Sequence, residues 1–433
     1  MKKKFLAAVT ITLSAAMMLG ACGSSGNKSA DSNKNEPLTI WVMNGDFSDD
    51  VMNAINEKFT KETGVKVKAQ TQQWANITTK VTTALSTSTP PDVIDMGDTQ
   101  VLGFAASGGL MDLSGHKKEF DNSSSWLSGL EKPATSKGKL YGVPAFGAAR
   151  AVIYNKKIWA DAGITETPKT YAEFTGDLDK IAAKHASDPD FIPFYRPGQD
   201  WYCMLQFLWD AGGDLATQSG STWKGDLTSK ESLQGLQDWK DFQNKYSSKA
   251  SRTVDTVNPQ QNDFLAQGKT AALFSNSATI SSVPKINPAM TEDQFGTFPM
   301  PGKSGKNQPS LVAGSDWAVA AKSKRQDLAL KWIKIATSND IEQNHIFAHD
   351  GWLPNSQKGL DEVLKSSSMK EVNKGFFEAA KRMQSTPASP EWTTIEGDNS
   401  VAEFSKNVVT GNSSVEDAAK TFNQHIEQVL NKK

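Results

Sequence analysis

The residues with the widest chemical reach in this sequence are carboxylates and indoles. Asp92, Asp95 and Asp98 recur every third position just after Pro90-Pro91. Two carboxylates flanking a scissile bond would serve glycoside hydrolysis, and several converging on one point would hold a hard cation. The run Asp92–Met96 reads as a strand, however, and period two sends Asp92 and Asp95 to opposite faces. That makes Asp92 a turn former at the strand end, Asp95 a structural acceptor, and Asp98 the one carboxylate expected to project into a crevice. Other enzyme signals are weaker. His345 and His349, two of five histidines, stand four apart, but Ile346-Phe347-Ala348 between them lacks the Glu that a zinc hydrolase carries beside its first His. No G-x-S-x-G elbow occurs. Gly302-Lys303-Ser304 has Thr297 where a phosphate loop needs glycine. We therefore expect no catalysis, no metal and no cofactor.

The indoles point elsewhere. There are 12 tryptophans. Indole faces stack on the apolar faces of sugar rings, while Asp, Asn and Arg side chains pair with hydroxyls, the mix a small-molecule pocket needs. Trp74, Trp201, Trp209, Trp317, Trp352 and Trp392 are the candidates for such a pocket. Trp317 and Trp352, the latter in a Gly-Trp-Leu-Pro loop, are the expected cleft walls. Tyr195 and Trp201 join them on local aromatic composition. Trp239 and Trp332 sit on amphipathic helix faces and belong to the core.

These side chains need positioning elements, and the sequence supplies them in alternation. Leu38–Met43 is a buried-type strand, Asp49–Thr63 a helix with Val51, Ile55 and Phe59 at four-residue spacing, and Val65–Ala69 a second strand. A helix carrying Ile77, Val81 and Leu85 follows, then the strand at Asp92–Met96. Such alternation builds a parallel sheet with helices on it, and ligands lie beyond the carboxyl ends of its strands. The loops Asn44–Ser48 and Gly97–Gln100 thus face the site. Leu140–Ala162 and Gly268–Ile280 are strand-like runs broken by small residues, and we read both as hinge crossings between two lobes. Phe295–Pro301 and Leu311–Ala321 are further strand-like runs, and Asp316–Ala321 within the second is read as a third passage. Thr170/Glu173, Thr228/Glu231 and Ser413/Glu416 have capping-box spacing ahead of apolar-periodic helices.

Composition and the N-terminus narrow the class. Lys+Arg 47 against Asp+Glu 48 gives a net charge of −1, so no field recruits nucleic acid. Lys2–Lys4 and the apolar run Phe5–Leu19 form a secretory signal. Gly23–Glu36 is a polar tether with a random-coil span of roughly 20 Å. Cys203 lies in an apolar helix, WYCMLQFLWD, and reads as a small hydrophobe.

The segment Leu19-Gly20-Ala21-Cys22 resembles a lipobox. With LTIWVMNG, DVIDMGDTQVLGFAASGGLMDLS, YGVPAFGAARAVIYNKKIWADAGITETPKTYAEF, FLAQGKTAALFSNSATI, GSDWAVAAKS and GWLPN, the chain resembles a bacterial extracellular solute-binding protein of the carbohydrate type. The resemblance implies an α/β periplasmic-binding-protein-like fold, each lobe a mixed or parallel sheet flanked by helices, with two or three hinge crossings. On that pattern 1–21 is a signal peptide, 22–36 the lipidated Cys22 and tether, 37–146 with 275–316 the first lobe, and 147–274 with 317–433 the second. It places ligand contacts at Asn44, Asp46, Trp74, Asp98, Thr99, Phe146, Arg150, Asn276, Gly314, Ser315, Asp316 and Trp352. Ser277 stands where the family often has Gly after its Asn, and Ala313 where it often has a first Gly. It further implies a monomer, anchored to the outer membrane face through lipid alone, that delivers a sugar to the permease subunits of an ABC transporter. A non-sugar solute such as a peptide, polyamine or glycerophosphodiester, or a secreted glycoside hydrolase, are the alternatives kept open.

Overall fold

The computed structural model describes residues 36–74 and 76–432. The expected signal peptide, Cys22 and all but the last residue of the tether lie outside them. β1 (Leu38–Met43) turns Leu38, Ile40 and Val42 inward. α1 (Asp49–Thr63) starts where the Ser48 side chain accepts the Val51 N–H, carries Asp49 and Asp50 in its first turn, and stops at Gly64, φ +72°. β2 (Val67–Gln72), α2 (Ile77–Ser86) and β3 (Val93–Gly97) follow, with β1 paired parallel to both β2 and β3. β4 (Val143–Ala148) and β5 (Ala151–Asn155) come next.

The later elements that bear on the site and its cores are α3 (Tyr171–Lys184), α4 (Trp201–Asp210), α5 (Lys230–Tyr246), β6 (Ala272–Ser275), β7 (Phe295–Phe298), β8 (Ala313–Val319), α6 (Gln326–Ala336), α7 (Trp392–Gly397) and α8 (Val415–Leu430). The Thr170/Glu173 capping box forms with both bonds present. In the other two helices the cap slips one residue, to Ser229 for α5 and Ser414 for α8. Each new cap is still a serine, so the same hydroxyl chemistry satisfies the helix end.

Two sheets divide the chain. The first has the order β2-β1-β3-β8-β4, with β8 antiparallel to β3 and β4. The second has the order β6-β5-β7, all antiparallel, and the segment Ile192–Tyr195 adds parallel bridges beside β6. α6 seals the first core with Leu330, Trp332 and Ile333. α3, α4, α5 and α8 pack over one face of the second sheet, where Val152 points, while Ile153 enters a separate core on the opposite face. The result is a two-lobed α/β fold of periplasmic-binding-protein type.

Strand pairing corrects three expectations about the chain's path. Gly268–Ile280 is no crossing: β6 pairs with β5 inside the second lobe, as does β7. Asp316–Ala321 is no passage either, because Asp316–Val319 is paired with β3. The second passage lies at Leu311–Ala313, between the Ser310–Leu311 strand, which pairs with Met383–Gln384, and the start of β8. A third runs through the helix Glu342–Asp350, where Ile346 joins the first core and Phe347 the second lobe's. Consequently most of 275–312 belongs to the second lobe, and 313–346 to the first. Apolar runs broken by small residues suit a buried strand as well as a hinge, and only the partner strand decides between them.

Candidate functional site

A line of cavities runs between the lobes. One, about 430 Å³, is lined by Gly45, Phe47 and Ser48 from the loop after β1, by Ser277 and Ile280 from the second lobe, and by Trp352. The next, about 190 Å³, is polar, with Arg150, Asp200, Gln260, Asn262 and Asn276 in its walls. Ala278 borders both. A third of about 90 Å³ holds Asp98 and Thr99 from the first lobe against Trp201 and Glu396 from the second. Tyr202 borders the last two cavities. The loops that end β1 and β3 therefore reach the groove, as the rule for parallel sheets requires.

Carboxylates underlie the first-lobe side. Asp46 accepts the Ser315 hydroxyl through its carboxylate and the Trp352 Nε1–H through its backbone oxygen, at 2.7 Å. Burial raises its pKa to about 6 against the Ser315 bond. Asp95 takes the Met43 N–H at 2.9 Å, and burial, then the Asp46 charge, hold its carboxyl well above the usual range. Burial, then the Glu396 charge, push Asp98 up to about 8, opposed by bonds from the Thr99 and Gly314 backbone. Asp316 is fully buried, raised by that burial and then by Asp98, and its oxygens have no hydrogen-bond partner among the described residues. Glu396 is raised mainly by burial while accepting Trp392 Nε1–H and the Thr99 hydroxyl. Of these carboxyl groups, Asp98 and Glu396 line the groove and offer a ligand acceptor oxygens there.

Comparison with known proteins decides the class. The model of the bacterial extracellular solute-binding protein family matches residues 44–343. The chain belongs to that family. The diacetylchitobiose binding protein DasA of Streptomyces coelicolor is 38% identical over 441 residues, covering 99% of this chain and 100% of the relative. A maltooligosaccharide ABC transporter solute-binding lipoprotein of Streptococcus pneumoniae is 26% identical over 348 residues, 77% of this chain and 76% of that one. Among solved structures, the sugar-binding protein MalE of Xanthomonas citri superposes with a TM-score of 0.78 at 21% identity, covering 91% and 97% of the two chains. The GacH receptor of Streptomyces glaucescens gives 0.73 at 24%, covering 92% and 98%. These likenesses establish the fold.

In this solute-binding protein the expected site residues part into groups. Asp98, Thr99, Arg150, Trp201, Asn276 and Trp352 line the groove. Asp46, Gly314 and Ser315 stand behind it, and they position neighbours. Gly314 has no room for a side chain, since a Cβ would sit 2.0 Å from the Phe146 carbonyl oxygen. Phe146 is buried and stacks on Trp352 at 4.9 Å, so it backs the wall without forming it. Asn44 is exposed and donates to Gln73 at 3.3 Å. Trp74, 42% exposed, lies by Gly97 and outside the three cavities.

Five expectations fail, two of them at Trp209 and Trp392, which are buried in the second lobe's core. Trp317 is fully buried, stacked on Phe47 at 5.0 Å and edge-on to Trp332 at 4.7 Å, because β8 directs it into the first core. Asp316 points the other way, toward Gly142. Tyr195 is buried with its ring 3.8 Å from Phe264, and its segment extends the second sheet. Asp92 and Asp95 hold structure as read: Asp92 takes the Thr39 N–H and the Ser323 hydroxyl. Cys203 is buried, its thiol pushed up to about 12 by burial. Sequence reasoning missed Tyr202 and Glu396. Tyr202 follows Trp201 directly, and Glu396 lies one helical turn after Trp392, spacing that would have paired them.

Proposed function

We propose that this protein captures an oligosaccharide between its lobes and delivers it to the permease subunits of an ABC transporter. The observation that carries this is the groove itself: Trp201, Tyr202 and Trp352 offer ring faces, and Asp98, Glu396, Arg150 and Asn276 offer hydrogen-bonding groups from both lobes. A ligand touching both lobes favours closure through contacts it lacks in the open form. The extent of its likeness to a diacetylchitobiose binding protein supports a sugar of that class. No bond is made or broken in this reading. The protein works as a monomer held at the outer membrane face by lipid on Cys22. Among the described residues no helix is long and apolar enough to cross a membrane, which fits that anchor.

Titrating the purified protein with di- to tetrasaccharides of the chitin and starch series, while following tryptophan fluorescence, tests the reading. Saturable quenching or shift with one series, and unaltered sugar recovered afterwards, is the expected result. A flat response to both series, or recovery of cleaved sugar, contradicts it.

A further inference from the structure

The cavity of about 90 Å³ brings carboxylates from opposite lobes to one place. Asp98 comes from the turn after β3, and Glu396 from α7. Glu396 accepts Trp392 Nε1–H at 2.8 Å within its own helix and the Thr99 hydroxyl at 3.0 Å from across the groove. Asp98 accepts the Thr99 N–H at 2.7 Å. A third carboxylate, Asp316, is near enough to feel the Asp98 charge. None of the described residues lining this cavity is Lys, Arg or His. The nearby cation, Arg150, lies over the Tyr202 ring at 3.6 Å and lines the adjoining cavity, which it shares with Asp200. Trp201 and Tyr202, stacked at 4.0 Å, complete the wall with ring faces that attract cations.

A ligand hydroxyl can bond to such a pair, but it gives neither carboxyl a counter-charge against which to ionise, and burial favours their protonated forms. An ammonium both donates and neutralises, and its bonds to carboxylate are roughly twice as strong as neutral ones. Resting on the carbohydrate reading above, we propose that Asp98 and Glu396 form a subsite for a sugar unit bearing a free amino group, bound as its ammonium. The protein then accepts deacetylated amino-sugar oligomers and prefers them to acetylated ones.

Calorimetric titration with chitobiose in its fully deacetylated, singly acetylated and diacetylated forms tests this, at low salt and about pH 6.5, below the usual range of an amine. The deacetylated form should bind about tenfold more tightly than the diacetylated one, and added salt should narrow the gap. Glu396→Gln should bring the two within about threefold, since its amide keeps the shape and removes the charge. Asp98→Asn should do the same, and thermal unfolding checks that each variant is folded; Glu396→Gln decides the matter where Asp98→Asn is not. Equal binding of the two forms, preference for the diacetylated one, or a gap unchanged in Glu396→Gln overturns the subsite and leaves sugar capture standing. Failure of every sugar to bind overturns both.

Discussion

Asp98 is where local chemistry is most exposed to experiment. In the unfolded chain its carboxyl ionises near 3.8, and in the fold it keeps its proton to about 8. Between those values the folded form holds more protons than the unfolded one, so stability falls as pH rises. Asp46, raised to about 6, acts in the same direction over a narrower window. Acids held low, such as Asp112 by Ser114 and Asp340 by Asn344, act only below the usual carboxylate range. The melting temperature should therefore decline from about pH 5 to about pH 8, each such group contributing at most roughly 1.4 kcal/mol per pH unit. Asp98→Asn should flatten that decline. A melting temperature that climbs across this window, or a variant with the wild-type slope, would show that the buried carboxyl is not holding its proton.

At the scale of elements, β8 does most to set the site. One strand sends Ser315 to Asp46, Asp316 toward Gly142 and Trp317 into the core, with a register shift between Ser315 and Asp316 where it meets β4. Bulges of this kind re-aim side chains next to sites. Its other requirement is contact so close that Gly314 must stay a glycine. Gly314→Ala should cost about 1–3 kcal/mol of stability, read by urea unfolding, because strand β4 has to yield to the added methyl. The shift should also move Asp98, which accepts the Gly314 N–H, so sugar affinity should fall with stability. A variant as stable as wild type with unaltered affinity would mean the two strands separate freely there. β8 was legible as a strand from its apolar run. The direction of each side chain was not, because a register shift breaks the two-residue alternation on which such a reading rests.

For the whole molecule the question is how two lobes act as one. Side chains join them across the groove at Thr99 and Glu396, while Gly147 and Leu353 exchange backbone bonds near the first passage. Three passages at 149–150, Leu311–Ala313 and Glu342–Asp350 leave closure as the main large motion available. Made as Cys22→Ser, the protein should be recovered from the medium, and a saturating oligosaccharide should lower its radius of gyration in solution scattering. Retention in the membrane fraction would refute the lipid anchor, and an unchanged radius would refute closure by ligand. The sequence by itself determined the βαβαβ start of the first lobe, the Thr170/Glu173 capping box, and the place of Asp98 beyond a strand end. Each of these depends on period or on hydrogen bonds between residues a few positions apart. Tertiary structure alone decided that β6 and β7 stay in the second lobe, that Trp317 is core, and that Glu396 meets Thr99 from 297 residues away. Strand partners and groove neighbours are chosen by long-range packing, which leaves no periodic trace in the chain.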